Sequence, residues 1–141
     1  MRRGSLRPAG GSSIPTDGDL LAKVSVDMMS TGTTLLYQPA AGKKVVITRI
    51  LMITTLYNAP NNNAQVDIGN NSPNYDNVVA FVNYSTSLIA VDNFYTALLL
   101  DANYFGNNDL ITNSNPLYLN IPTADDGTAE EIDFIIYGYE Y

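Results

Sequence analysis

The chain has 141 residues, 45% of them apolar, and a formal net charge of −7. It contains no histidine and no cysteine, so it lacks the usual general base near neutral pH, any thiolate nucleophile and the commonest zinc ligands. A Ser-His-Asp or Cys-His catalytic arrangement is therefore excluded. We expect a protein that is not an enzyme and that has no metal or other cofactor.

The charge is distributed unevenly along the chain. The first 49 residues hold all seven basic side chains and three acidic ones, whereas the remainder holds eleven acidic residues and no Lys or Arg. Phosphate contacts need cations, so an acidic body predicts no nucleic-acid partner. The apolar run at 45–53 is shorter than the ~18–20 residues of a membrane span, so no membrane partner is expected. No apolar leader segment precedes it, which predicts a soluble protein made in the cytoplasm.

Residues 1–19 are predicted to form an extended arm, because they are rich in Arg, Gly, Ser and Pro and poor in apolar residues. Such a segment cannot bury enough surface to offset its ordering entropy by itself. Its basic residues are Arg2, Arg3 and Arg7, and the planar guanidinium group suits contacts with carboxylates. We therefore predict that the arm binds an acidic neighbour, for example the next copy of the same protein. The alternative is a tail that only increases solubility.

Residues 20–141 are predicted to form one all-β domain. Runs rich in β-branched residues alternate with Asn, Gly and Pro turns about every 8–12 residues, which is typical of an antiparallel sandwich. The predicted strands cover residues 20–27, 33–38, 43–57, 64–69, 77–82, 87–91, 95–100, 110–112, 117–121 and 131–141. This number of strands suits an antiparallel two-sheet β-sandwich of jelly-roll type. Residues 94–104 also have a composition that allows a short helix.

The predicted strand at 43–57 is apolar on both faces. A strand of this kind is typically central, with one face in the core. We expect its other face to lie under another layer or under another subunit.

The C-terminal segment 131–141 alternates between two faces. Ile132, Phe134 and Ile136 are predicted to face the core. The opposite face carries a row of tyrosines spaced two residues apart, the tyrosine row, which consists of Tyr137, Tyr139 and Tyr141. Tyrosine is enriched at protein interfaces, so this row is predicted to bind a partner. The high β-propensity of tyrosine is the alternative explanation.

A turn at residues 125–131, the acidic turn, concentrates carboxylates. They are Asp125, Asp126, Glu130 and Glu131. Oxygen ligands around a glycine can hold calcium, but the spacing differs from that of an EF-hand loop, so no metal is predicted. The same carboxylates could serve a glycosidase only if a partner faced them across a cleft. A hydrolase that uses them remains a further alternative.

The Asn-rich loops at 58–63, 70–77, 103–108 and 113–115 allow two interpretations. Together with their tyrosines they could form a surface that binds a host glycan. They also suit tight turns, because asparagine tolerates left-handed backbone and caps its own chain. The turn interpretation is favoured.

Residues 37–51, with the sequence YQPAAGKKVVITRIL, resemble small virion proteins of tailed bacteriophages. In those proteins a Pro-x-Gly-Lys turn and a following hydrophobic-Ile-Thr-x-Ile strand open a jelly-roll, or tumour-necrosis-factor-like, sandwich. The closing Tyr-Gly-Tyr-Glu segment at 137–140 is similar to their last strand. The resemblance covers about residues 33–57 and 130–141.

This resemblance implies a capsid decoration, or cement, protein that stabilises the phage head by bridging capsomers. Its partners would then be itself, as a homotrimer, and the major capsid protein. Its location would be the outer surface of the virion. The alternative function is a tail or head-fibre adhesin that binds a host glycan through the Asn/Tyr-rich loops.

Overall fold

The computed structural model describes residues 18–57, 64–83, 95–101, 104 and 111–141. The predicted arm as far as residue 17 and the predicted strand at 87–91 lie outside these ranges. Every regular element within them is a β-strand. None of the described segments is a helix long and apolar enough to cross a membrane. The stretch 94–104, which also allowed a helix, contains a strand at Tyr95–Leu98.

The strand bounds in the described ranges lie within two residues of the predicted ones. In chain order the strands are β1 (Asp19–Asp27), β2 (Gly32–Tyr37), β3 (Lys44–Tyr57), β4 (Gln65–Gly69), β5 (Val79–Asn83), β6 (Tyr95–Leu98), β7 (Ile111–Thr112), β8 (Leu117–Thr123) and β9 (Glu130–Glu140). The agreement has a local cause, because β-branched and aromatic residues favour strands while Gly, Pro and Asn favour turns. The turn before β3 shows this: Gly42 has φ +79°, and the N–H of Lys43 donates to the carbonyl of Ala40 at 3.0 Å.

The strands form two antiparallel sheets. The first sheet has the order β1-β9-β3-β6, with β7 paired to β3, and the second sheet has the order β2-β8-β4-β5. The chain passes between the two sheets repeatedly, so most hydrogen-bonded neighbours are distant in sequence. This arrangement is that of a jelly roll. The predicted all-β, two-sheet sandwich is therefore confirmed.

The core lies between the facing surfaces of the two sheets. The predicted core face of β9 is confirmed, since Ile132, Phe134 and Ile136 are fully buried. They meet the inward side chains of β4 and β8. Those side chains include Val66, Ile68, Leu117, Leu119 and Ile121. The sandwich thus encloses the apolar surface that its alternating strands provide.

A β-bulge in β3 corrects the phase of its alternation. Val45 and Ile47 face the core, and the pairing with β9 then shifts between Ile47 and Arg49. As a result Ile50 and Met52 are buried, while Arg49 points to the opposite face. A bulge inserts one extra residue and so changes which residues face inward.

The outer side of the second sheet is bordered by the loop at 70–77, which is held by its own polar side chains. The Oδ1 of Asn71 accepts from the N–H of Asp76 at 2.9 Å and from that of Asn77 at 3.2 Å. Asn77 in turn exchanges two hydrogen bonds with Asn70. The ring of Tyr75 lies 5.4 Å from that of Tyr118, centroid to centroid. These contacts pin the loop beside β8.

Candidate assembly surface

The face of the first sheet that points away from the core carries an unusual share of apolar and aromatic residues. This surface, the outer face, consists of Lys23, Ser25, Val46, Arg49, Leu51, Ile53, Asp133, Ile135, Tyr137 and Tyr139. The register places Leu51 directly beside Ile135. Both are only partly buried, as is Ile53. The prediction that β3 is apolar on both faces is therefore confirmed, and one of these faces meets solvent in the isolated chain.

The centre of the outer face is ordered by a cation–π contact. The register sets Arg49 beside Tyr137, and the guanidinium carbon lies 4.5 Å from the centre of the tyrosine ring. Such contacts contribute about 0.5–1 kcal/mol at exposed sites and more when water is removed. This contact therefore holds Tyr137 against the sheet.

A salt bridge lies on the same face, between β1 and β9. The Nζ of Lys23 is 2.8 Å from the Oδ2 of Asp133, and the Ser25 hydroxyl donates to its Oδ1. Burial opposes ionisation of Asp133, but the hydrogen bonds and charge of Lys23 together with the Ser25 hydroxyl outweigh it and lower the pKa. The sequence placed Asp133 on this face, and the structure shows that neighbours on β1 compensate its charge.

The first described residues of the chain lie beside the tyrosine row. Asp19 pairs with Gly138, and Leu20 pairs with Tyr137. The approach is close: a Cβ on Gly18 would lie 2.6 Å from the carbonyl oxygen of Gly138. Leu20 is 62% exposed. The described chain thus begins at the edge strand of the first sheet, next to the outer face.

The end of β9 is fixed by both main-chain and side-chain contacts. Tyr141 exchanges two main-chain hydrogen bonds with Lys44, at 2.9 and 3.0 Å, and 58% of Tyr141 is exposed. The hydroxyl of Tyr37 donates to the carboxylate of Glu140. Burial first, and the Glu140 carboxylate second, raise the pKa of Tyr37 to about 12. The phenol therefore remains a neutral donor at any physiological pH.

The predicted partner-binding residues have different outcomes. Tyr137 and Tyr139 lie on the outer face, partly buried, and Tyr141 lies at its end. The tyrosine row thus exists as a geometric feature, and its binding role stays a prediction. Arg2, Arg3 and Arg7 lie outside the described residues.

The Asn-rich loops support the turn interpretation where the structure describes them. The side-chain amides of Asn70, Asn71 and Asn77 hydrogen-bond within the loop at 70–77. Asn113 donates to the carbonyl of Pro39 at 2.8 Å. These groups are engaged in holding turns together, so they are poor candidates for glycan contacts. The loop at 58–63 and, except for Tyr104, the loop at 103–108 lie outside the described residues.

The acidic turn contains a feature that the sequence did not indicate. Glu130 begins β9 with its side chain buried, 2% exposed, and Asp125 is 5% exposed. Burial first, and then the hydrogen bond with Asp125 and its charge, raise the pKa of Glu130 to about 8. The sequence predicts that these carboxylates lie on a turn, but their burial was not predicted. The signal available was that Glu130 lies in the same alternation phase as Ile132 and Phe134.

Arg49 is the other residue whose role sequence reasoning missed. An arginine within an apolar strand is a visible signal, but its partner Tyr137 is 88 positions away in the sequence. Only the β3–β9 register brings the two together.

No protein family and no curated protein matches this sequence. In fold, the chain is similar to a chain of the acidic stable capsid structure of Helicobacter pylori bacteriophage KHP30. The similarity covers 85% of this chain and 90% of that chain, with a TM-score of 0.52 and 12% sequence identity. At this identity the similarity concerns the fold, which agrees with the two-sheet sandwich described above.

Proposed function

We propose that this protein is a structural component of a phage particle. Within that role we propose a capsid decoration, or cement, protein that forms a homotrimer on the outer surface of the head. It would bridge capsomers by contacts with the major capsid protein. It would act without catalysis, as the missing His and Cys residues suggest.

The observation that carries the proposal is the outer face. In the isolated chain, partly buried apolar residues such as Leu51 and Ile135 lie beside an ordered aromatic residue, Tyr137. Apolar and aromatic residues with few free charges characterise the centre of a protein interface. Two of the charges on this face compensate each other, since Lys23 pairs with Asp133. A partner can therefore cover the face without burying an unpaired ion at this pair.

The position of the arm supports an assembly role. The described part of the chain enters the first sheet beside Tyr137, and the basic segment 1–17 directly precedes this point in the sequence. A basic segment that starts at an acidic body suits a contact with a neighbouring acidic surface. We propose that Arg2, Arg3 and Arg7 bind an adjacent subunit while the tyrosine row packs at the same junction.

The fold similarity supports the phage context. A phage capsid structure contains a chain with this fold over most of the length of both chains. The same fold occurs in proteins of many functions, so the argument for assembly depends on the outer face, and the similarity supports a phage particle as its setting.

The test uses a matched pair of substitutions on the two sheets. Leu51→Glu places a charge at the centre of the outer face. Leu35→Glu is the control, because Leu35 is an exposed strand residue of the second sheet and undergoes the same chemical change. The mass of each purified protein is measured by light scattering after size exclusion, and its binding to capsids that lack the protein is measured by sedimentation.

The proposal predicts that wild-type protein and Leu35→Glu are trimeric and bind capsids. Leu51→Glu should be a folded monomer, with capsid binding weakened at least tenfold. Replacement of Arg2, Arg3 and Arg7 by alanine should weaken capsid binding and leave the trimer intact. A monomeric wild-type protein without affinity for capsids would show that the proposal is wrong.

A further inference from the structure

Two carboxyl groups are buried in contact with each other at the end of the sandwich where β1 ends and β9 begins. Asp125 is 5% exposed and Glu130 is 2% exposed, and a hydrogen bond joins their side chains. Ionised carboxylates only accept hydrogen bonds, so a bond between two carboxyl groups requires a proton on one of them. The contact therefore indicates that the pair holds a proton.

The pair has too few other donors to be buried as two anions. The Oδ1 of Asp125 accepts from the N–H of Gly127 at 2.6 Å. No other N–H or O–H group among the described residues donates to its Oδ2 or to either oxygen of Glu130. A buried carboxylate without partners costs several kcal/mol, so such a group takes up a proton instead. Because only Asp125 has a main-chain donor, Asp125 is the acceptor and Glu130 carries the proton.

The basic side chains of the described residues lie elsewhere. They are Lys23, Lys43, Lys44 and Arg49. Lys23 pairs with Asp133 on the outer face, and Arg49 lies over a tyrosine ring on the same face. The other two lie at the start of β3, whereas Glu130 pairs with the last residue of that strand. No cation in the described part of the chain therefore compensates a second negative charge on the pair.

The titratable groups closest to the pair in the sequence and in the strand ladders do not favour a second charge either. They are Asp27 at the end of β1, Tyr57 at the end of β3, Asp126 in the acidic turn and Glu131 in β9. Three of these are carboxyl groups, which oppose ionisation of a neighbouring carboxyl group. Segments 28–31, 58–63 and 122–124 continue these elements in the sequence and contain no ionisable residue. The raised pKa of Glu130 agrees with these surroundings.

The main chain ties both residues to Met28. The N–H of Asp125 donates to the carbonyl of Met28 at 2.9 Å, and the N–H of Met28 donates to the carbonyl of Glu130 at 3.0 Å. The two carboxyl groups are thus held together by the fold. An open pocket of about 250 Å³ borders Glu130, with Thr128 and Ala129 of the acidic turn in its lining. Solvent in this pocket can exchange the proton.

We propose that Asp125 and Glu130 share one proton in the folded protein, as a pH-sensitive clasp that closes the acidic turn onto the start of β9. In alkaline solution hydroxide takes this proton and forms water, which leaves two buried carboxylates in contact. Their repulsion and their need for hydration then open the turn. The clasp lies within a single chain, so it does not depend on the proposed role in assembly.

The clasp makes stability depend on pH in a defined direction. The pKa of Glu130 rises from an ordinary value of 4.5 to about 8 in the folded protein. Between these two values the folded state holds a proton that the unfolded state releases. The stabilisation is therefore complete below about pH 4.5 and is lost as the pH rises to about 8.

The test compares the wild-type protein with Glu130→Gln and Asp125→Asn. The control is Glu131→Gln, because Glu131 is the adjacent exposed carboxylate and its substitution removes a charge outside the buried pair. Infrared spectra between about pH 5 and pH 9, a range that spans the titration of the pair, report the C=O band of protonated carboxyl groups. Thermal unfolding is recorded over the same range.

Wild-type protein and Glu131→Gln should show a protonated carboxyl band at pH 6 that disappears with a midpoint near pH 8. Glu130→Gln should lack this band. Its amide remains a neutral donor beside Asp125, so its unfolding temperature relative to wild type should rise by at least about 5 °C from pH 5 to pH 9. Asp125→Asn removes the neighbouring charge, so the midpoint of the band should fall by at least about one pH unit.

Three results would overturn the proposal. The first is a wild-type protein without a carboxyl band that persists at pH 6 and titrates in alkali. The second is an equal dependence of the unfolding temperature on pH in wild type and Glu130→Gln. The third is an unchanged midpoint in Asp125→Asn, which would show that Glu130 holds its proton alone. If Glu130→Gln does not fold, the spectra of wild type and Asp125→Asn still decide.

Discussion

Gly138 is the position where the pairing of the two central strands depends most directly on the absence of a side chain. A Cβ built on Gly138 would lie 2.3 Å from the carbonyl oxygen of Val46 and 2.9 Å from a methyl carbon of Leu21. The first contact is with the backbone of β3, so no rotation of a side chain can relieve it. Gly138→Ala must therefore push β9 away from β3 by roughly 1 Å to reach an ordinary contact distance.

The expected cost follows from what that displacement breaks. The register pairs Val46 with Tyr139 and Ile47 with Gly138, so about two ladder hydrogen bonds are lost at ~1 kcal/mol each. Loss of packing around the displaced strand adds roughly 1–3 kcal/mol. We expect a decrease of about 3–5 kcal/mol in the free energy of unfolding, which is a large part of the 5–15 kcal/mol typical of a domain.

The assay is urea unfolding monitored by tyrosine fluorescence, with Gly42→Ala as control. Gly42 has φ +79°, and a Cβ there would meet no atom within 4 Å. Its substitution therefore tests backbone strain alone, for which about 1 kcal/mol is expected. If Gly138→Ala costs no more than Gly42→Ala, close contact between β9 and β3 is not what requires glycine, and the reasoning is wrong.

Two further predictions concern polar groups. Neighbouring groups lower the pKa of Asp133 below its usual 3.8, so its ionised form stabilises the folded state above that pH, and this stabilisation is lost as the pH falls below it. The difference in unfolding free energy between wild type and Asp133→Asn should therefore shrink between about pH 5 and pH 2. A difference that stays constant in acid would contradict this. Asn71→Ala removes the acceptor of two main-chain N–H groups in the loop at 70–77 and should lower the free energy of unfolding by about 1–3 kcal/mol. The control is Asn74→Ala, at an exposed position in the same loop, which should change stability by less than about 0.5 kcal/mol. Equal effects of the two substitutions would show that the Asn71 contacts do not hold the loop.

The strands could be predicted from the sequence because their signal is local. β9 shows why: Ile132, Phe134 and Ile136 alternate with more polar residues, and only a strand with one buried face requires this period. The turn at Gly42 is equally local, since its backbone conformation favours glycine. The same alternation predicted the tyrosine row, whose geometry the structure shows.

The candidate sites depended on contacts that no local pattern contains. Lys23 meets Asp133 across β1 and β9, and Arg49 meets Tyr137 across β3 and β9. Simple alternation from Ile47 would place Arg49 in the core. The β-bulge after Ile47 shifts the alternation by one residue, so Arg49 lies on the outer face. Asp125 and Glu130 are close in sequence, yet each is fixed by contacts with distant residues: both form main-chain hydrogen bonds with Met28, and Glu130 pairs with Tyr57 at the end of β3.

The sequence by itself therefore determined the fold class, the strand positions, the separation of charge and the absence of the common catalytic residues. The tertiary structure decided which charges are compensated, which residues form the outer face of the first sheet, and where two carboxyl groups are buried next to each other. The physical reason is that burial on one side of a strand leaves a period of two in the sequence, whereas pairing between distant strands is set by register and bulges. Register and bulges cannot be recognised from the residues of either strand alone.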